Sequence, residues 1–174
     1  MCETSDMEWT YGCVFCVTGK ERDAAQHIEQ AYGHVRTMVA RRLKLKTVQG
    51  RTHPEEEVLY PGYVFIKVPS RGEMPLTLQK DANIISLLTT NEGEWRLYGN
   101  DARVVQWLFS YDGLIAYSQA YQEGDQVRII SGPLKDLAGQ IVRLDKRHKG
   151  AQVAITFCNR EIKIWLRFEI VDKF

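Results

Sequence analysis

The sequence predicts an α+β chain: an N-terminal α/β layer domain with an antiparallel sheet, then a small C-terminal β-barrel. Three observations carry this. Strand and helix patterns are mixed up to residue 110, as in a layered α/β domain. Beyond that only strand patterns remain, at roughly 8–12-residue spacing, as in a small barrel. Between them, residues 123–145 read EGDQVRIISGPLKDLAGQIVRLD. A turn (Glu123-Gly124-Asp125) opens this stretch, and a strand follows with Val127 and Ile129 on one face. Gly132-Pro133 breaks the strand, Gly139 ends the loop, and a second apolar run covers 140–144. Period-two alternation punctuated by Gly and Pro marks a small antiparallel barrel.

The bulk properties fit this division. The chain has 174 residues, 44% hydrophobic and 26% charged, which suits one large or two small soluble domains. Its net charge is +1, but the two parts differ. Residues 1–120 carry 13 Lys+Arg against 15 Asp+Glu, and residues 121–174 carry 10 against 7. The basic C-terminal part points to an anionic partner. The acidic start, MCETSDMEW, is not a secretory signal. No apolar run approaches the roughly 18 residues of a membrane span. Four cysteines do not make a disulfide scaffold. A reducing cytoplasm, no membrane contact and a monomer are expected.

The elements follow in order. Residues 9–17 read as a buried strand. Thr18 and Glu21 form a capping box for a helix over about 20–32, with Ala24, Ala25, Ile28, Ala31 and Tyr32 inward and Gly33 as its stop. Residues 35–48 are extended, 49–57 (QGRTHPEEE) a polar loop, and 58–68 a second strand, together a long hairpin. A turn over 69–72 and a short helix over 73–80 precede a strand over 84–88. Asn100 or Asp101 would cap a helix ending at Ser110, with Val104, Val105, Leu108 and Trp107 toward the core. Residues 111–122 are the expected linker. Strands over 126–131, 140–145, 151–158 and 161–166, with a short last one near 168–171, complete the barrel. The expected domains are therefore 1–110 and 123–174.

Several residue groups carry candidate chemistry. Tyr63 and Phe65 share one strand face, and Pro61 places the strand start at an edge or bulge. The pair either fills a sheet core or forms an apolar depression for a partner helix. Arg41, Arg42, Lys44, Lys46 and Arg51 line the first extended run and the polar loop after it. They either track a phosphate backbone or form a charged edge that blocks aggregation. Lys163, Trp165 and Arg167 should face outward while Ile162, Ile164 and Leu166 face inward. Beside them lies the turn Lys146-Arg147-His148-Lys149, and Lys135 sits in the preceding loop. Cations neutralise phosphates and an aromatic plane stacks an unpaired base, so this face suits RNA. The competing reading is a charged face with Trp165 as a lid. Cys13-x-x-Cys16 lacks a second ligand pair for zinc and reads as two buried apolar side chains. No phosphate loop, zinc-protease helix or nucleophile elbow occurs, and His27, His34, His53 and His148 are scattered. No active site and no cofactor are expected.

Taken together, three stretches resemble the NusG family of transcription elongation factors. Thr18-Gly19-Lys20-Glu21 is similar to the family's first strand–helix junction. Leu59-Tyr60-Pro61-Gly62-Tyr63-Val64 resembles its PGYV stretch. Gly124 to Gly139 resembles its KOW segment, with Gly139 as the loop glycine. The resemblance implies an N-terminal NGN domain bound to the clamp helices of the largest RNA polymerase subunit. Tyr11, Tyr60, Pro61, Tyr63 and Phe65 would form that contact, and residues 71–77 a second one. It places the hairpin tip, with Arg41, Arg42 and Lys44, near upstream or non-template DNA. It implies a tethered SH3-like KOW barrel that recruits a second partner, with Phe157 at a position that in the family docks a ribosomal protein or termination factor. Tyr11-Gly12 departs from the family's Trp-Tyr start, residues 91–95 replace a Gly- and Pro-rich stretch, and Trp165 and Arg167 stand where acidic residues are usual. These departures resemble a specialised LoaP-like antiterminator whose barrel binds structured nascent RNA. A general factor with a protein-binding barrel, and a ribosome-associated KOW protein, are the alternatives.

Overall fold

A computed structural model describes residues 8–74 and 81–171. The expected helix over 73–80 falls largely outside the described residues, as do residues 75–77 of the expected contact over 71–77. In chain order the elements are β1 (Trp9–Cys16), α1 (Glu21–Ala31), β2 (Arg36–Met38), β3 (Arg41–Val48), β4 (Arg51–Val58), β5 (Tyr63–Pro69), β6 (Ile84–Leu87), α2 (Gly99–Ser110), β7 (Leu114–Ile115), β8 (Ser118–Glu123), β9 (Gln126–Ser131), α3 (Pro133–Asp136), β10 (Ile141–Asp145), β11 (Gly150–Phe157) and β12 (Arg160–Ile170). The chain divides into two compact units. One holds the described residues through Ala40 together with Tyr60–Gly113, and the other holds Arg41–Leu59 together with the described residues from Leu114 on.

The first unit is a four-stranded sheet in the order β2-β5-β1-β6. The register sets Thr37, Ile66 and Gly12 side by side on one face, and Met38, Phe65 and Cys13 on the other. The Thr37 hydroxyl donates to the Ala25 carbonyl and to Glu29, so the first face lies under α1, which buries Ala24 and Ile28. Gly12 is required there: a Cβ would sit 2.8 Å from the Trp95 ring. α2 covers one end of the other face. Phe109 meets Tyr11 at 5.9 Å between ring centroids, and the Lys67 ammonium lies 5.0 Å from the Phe109 ring and 4.8 Å from Trp9.

Two helix starts differ from expectation. Neither Thr18 nor Asn100 nor Asp101 is an N-cap; those positions belong to Lys20 and Tyr98, without side-chain caps. Glu21 is spent elsewhere, as described below. Ala31, expected inward, is exposed.

In the second unit, β3 and β4 form a hairpin, with β7 parallel to β3. Residues 49–57, expected as a loop, are mostly strand. Only Gln49 and Gly50 turn, with φ of 49° and 76°. Two positive φ values in a two-residue turn match the twist of the flanking strands. Cross-strand ion pairs carry the polar strand β4. The run over 58–68 is therefore two elements: β4 ends at Val58, and β5 pairs with β1 and β2 rather than with β3.

The barrel sheet runs β10-β11-β12-β8-β9. Residues 111–122, expected as a linker, contain β7 and most of β8. β8 pairs parallel with β12 and antiparallel with β9, and buries Ser118 and Ala120. The two strands expected over 161–166 and 168–171 are the single strand β12. The loop glycine is Gly132 rather than Gly139. Gly132 has φ 85°, and a Cβ there would meet the Ser118 Cα at 2.9 Å. Gly139 has open space around it and no positive φ. The Ser118 hydroxyl accepts from the Leu134 amide at 2.9 Å, seating the short α3 over the core with Leu134 buried.

Candidate functional site

The first surface is built around Gly62, at φ 81°. Its carbonyl accepts from the Cys16 amide at 2.9 Å, and its own amide donates to Glu21 Oε1 at 2.8 Å. The same carboxylate oxygen accepts from the Gly19 amide at 3.0 Å. Glu21 is buried. Burial pushes its carboxyl upward, but the amides of Gly62, Gly19 and Glu21 itself pull harder and leave it below the usual carboxylate range. Burial and the Glu21 charge push the Cys16 thiol up to about 11. Cys13 and Cys16 are both buried in β1, and no cluster of three or more metal-ligating side chains occurs among the described residues.

This anchored turn delivers the aromatic residues. Phe15 and Tyr63 are directly opposite in register, with centroids 4.9 Å apart and rings at 70°. Tyr60 packs edge-on against Phe65 at 5.5 Å and lies 6.2 Å from Tyr63. Phe65 is fully buried and Tyr60 is 8% exposed. Both, expected as contact residues, instead support the surface from below. A central strand between covered faces leaves Phe65 no route outward. Tyr11 is half-covered by Phe109, and burial raises its hydroxyl pKa. What remains accessible is Tyr63, Phe15, the exposed Pro61 and Val17, which is 42% exposed. Phe15 was missed as a surface residue. Its place four residues from Tyr11, an expected contact residue on the same strand face, was the available signal.

The second surface is the outer face of β10, β11 and β12. Alternation holds as expected: Ile164 and Leu166 are buried, while Lys163 and Trp165 are exposed and Arg167 is half-buried. Trp165 is 38% exposed. Register sets Arg143, Gln152 and Trp165 in one row, and Asp145, Gly150 and Arg167 in the next. The Trp165 ring reaches across to Gly150, where its Cε3 lies 3.5 Å from the position of an added Cβ. The ring thus leans toward the 146–149 turn and joins the two expected halves of the site. The Arg143 guanidinium lies 5.9 Å from the ring centroid. Sequence reasoning missed Arg143 and Gln152, because their role depends on the β10–β11 register and on the bulge after Ile141.

The turn's cations are not equivalent. Asp145 accepts from the His148 backbone amide and pairs with His148 Nδ1, each at 2.9 Å. These bonds, the backbone one foremost, hold the Asp145 carboxyl below its usual range. Lys146 donates to the Asp125 carbonyl. Lys163 sits 3.8 Å from Glu161. Arg147, Lys149 and Arg167 make no ion pair among the described residues. Lys135 lies apart, in α3. Phe157 is 3% exposed and belongs to the barrel core, so it does not present a docking aromatic.

Four of the five expected hairpin cations are already paired, and Arg51 makes no ion pair among the described residues. Arg41 pairs with Glu56 at 2.6 Å, Arg42 with Glu57 at 2.6 Å, Lys44 with Glu57 at 2.9 Å and Lys46 with Glu55 at 2.8 Å. The Lys44–Glu57 bond raises the lysine pKa and lowers that of Glu57. Arg42 also donates to the Trp165 carbonyl at 2.9 Å, from β3 to β12.

No family model matches the chain. Among known proteins, it is similar to the transcription termination/antitermination protein NusG of three bacteria. The Thermus thermophilus protein is 26% identical over 137 residues, 71% of this chain and 72% of that one. The Borreliella burgdorferi protein is 25% identical over 134 residues, with the same coverage. The Pasteurella multocida protein is 21% identical over 158 residues, covering 90% of this chain and 85% of that one. A solved structure described as domain interaction in Thermotoga maritima NusG covers 92% of this chain and 94% of its own at 20% identity and a TM-score of 0.46. The strand–helix junction at Thr18–Glu21, the PGYV turn and the barrel loop thus lie in one chain that is similar, over 71–90% of its length, to NusG transcription termination/antitermination proteins.

Proposed function

We propose that this chain is a processive antitermination factor that binds RNA polymerase through its N-terminal sheet and structured nascent RNA through its barrel. Tyr63, Phe15 and Val17 offer an apolar surface to the polymerase clamp helices, with Tyr60 and Phe65 beneath. Buried aromatic anchors of this kind dominate binding energy. The barrel contributes Trp165 with Lys163, Arg167, Arg147 and Lys149. The observation that carries the RNA reading is Trp165: a 38% exposed indole on a strand whose neighbouring outward residues are cations. RNA held by the barrel raises the local concentration of the N-terminal part at the polymerase, as for any tethered pair. The paired hairpin cations give less support to a DNA contact through Arg41, Arg42 and Lys44.

Transcription through an intrinsic terminator, on templates with different structured leaders, tests this. Leader-dependent readthrough lost on Trp165→Ala is the expected outcome. Readthrough independent of leader and of Trp165 would leave a general factor with a protein-binding barrel.

A further inference from the structure

We infer that the Arg143–Gln152–Trp165 row reads the identity of one unpaired base, and that the base is guanine. The inference rests on the RNA reading of the barrel and deepens it. Cations and an indole alone bind single strands with little sequence preference. This row adds two groups with hydrogen-bonding capacity to spare. The Gln152 side chain makes no hydrogen bond among the described residues, although it is half-buried between Arg143 and Trp165. Arg143 makes no ion pair among the described residues, although its charge acts on Asp145. The carboxylate nearest in sequence, Asp145, is occupied by His148. At 5.9 Å the guanidinium sits at the outer limit of a cation–π contact and is free to turn toward a ligand.

A base stacked on Trp165 therefore meets a guanidinium fork and a primary amide at its edge. Guanine presents two adjacent acceptors, N7 and O6, which match the fork. Adenine sets an amino donor beside N7 where the fork also donates, and uracil sets an N–H donor between its two carbonyls; cytosine, with N3 and O2 adjacent on its Watson–Crick edge, is the competitor that the test must separate from guanine. The amide of Gln152 both accepts and donates, so it adapts to the remaining edge. Gly150 lies beneath the edge of the Trp165 ring, whose Cε3 is 3.5 Å from the position of an added Cβ, an ordinary contact distance.

The test uses the full-length protein and fluorescein-labelled oligouridines of about seven nucleotides, each with one central G, A, C or U. Fluorescence anisotropy is read at several salt concentrations. The G oligomer should bind on the order of tenfold tighter than the U oligomer, in keeping with one bidentate base contact. Arg143→Lys should keep the charge, the salt slope and the affinity for U while losing the preference for G. Gln152→Ala should reduce that preference several-fold. Equal wild-type binding to all four oligomers, a preference for another base, or a G preference that survives Arg143→Lys would each overturn the proposal. If such binding still depends on Trp165, the RNA reading itself stands. No salt-sensitive binding to any oligomer would overturn the base-reading proposal, while the RNA reading would still be decided by leader-dependent readthrough.

Discussion

The Gly62 amide donates to the buried carboxylate of Glu21 across 2.8 Å. One oxygen thereby holds both the start of α1 and the turn that aims Tyr63. Glu21→Ala should leave the Gly62 and Gly19 amides without their acceptor, at a cost of about 1–3 kcal/mol. Urea denaturation measures that loss. Clamp-helix binding should fall with it.

The same group sets an acid limit on stability. Its folded pKa is lowered, so its contribution is full above the unfolded carboxylate pKa of about 4.3. It is lost as pH falls through the folded value. In urea titrations from pH 7 downward, Glu21→Gln should flatten the acid-side decline relative to the wild type.

Tyr63→Ala and Phe65→Ala should separate surface from support. Tyr63→Ala should abolish binding to polymerase clamp helices while circular dichroism is retained. Phe65→Ala opens a cavity at a fully buried position and should cost about 3–5 kcal/mol. An unfolded Tyr63→Ala protein would return that residue to the core.

The Glu55–Glu56–Glu57 run should act as a charge mask. Replacing all three by Gln removes the partners of Arg41, Arg42, Lys44 and Lys46. Each surface pair contributes roughly 0–1 kcal/mol, so stability should change little. Affinity for duplex DNA should rise, and its salt dependence should steepen by about one power per phosphate newly neutralised. Unchanged DNA binding would mean the cations cannot reach a backbone at all.

Gly132 and Gly139 should respond oppositely to Ala. At φ 85°, with Ser118 2.9 Å from the new Cβ, Gly132→Ala should cost more than about 1 kcal/mol. Gly139→Ala should fall within about 0.5 kcal/mol of the wild type. Thermal or urea unfolding compares them directly.

Much of this molecule could be read from local pattern. The aromatic run of β1, the 3.6-residue stripe of α1 and the alternation from Ile162 to Arg167 each state their own geometry, because period decides which side chains share a face. The outward trio of Lys163, Trp165 and Arg167 follows from that period alone. What local pattern could not supply was the partner of each polar group. β4 reads as a loop until Arg42 and Lys44 lie across from Glu57 and Glu55, with Lys46 diagonal to Glu55. β8 reads as a linker until β12 lies parallel to it. Glu21 reads as a cap until Gly62, far along the chain, presents its amide. Covalent neighbours determine period and turn, so the sequence by itself settled the strand faces and the aromatic and basic residues they carry. Hydrogen bonds and ion pairs between distant segments depend on register and closure, so only the tertiary structure decided which of those residues are surface, which are support, and which charges remain free.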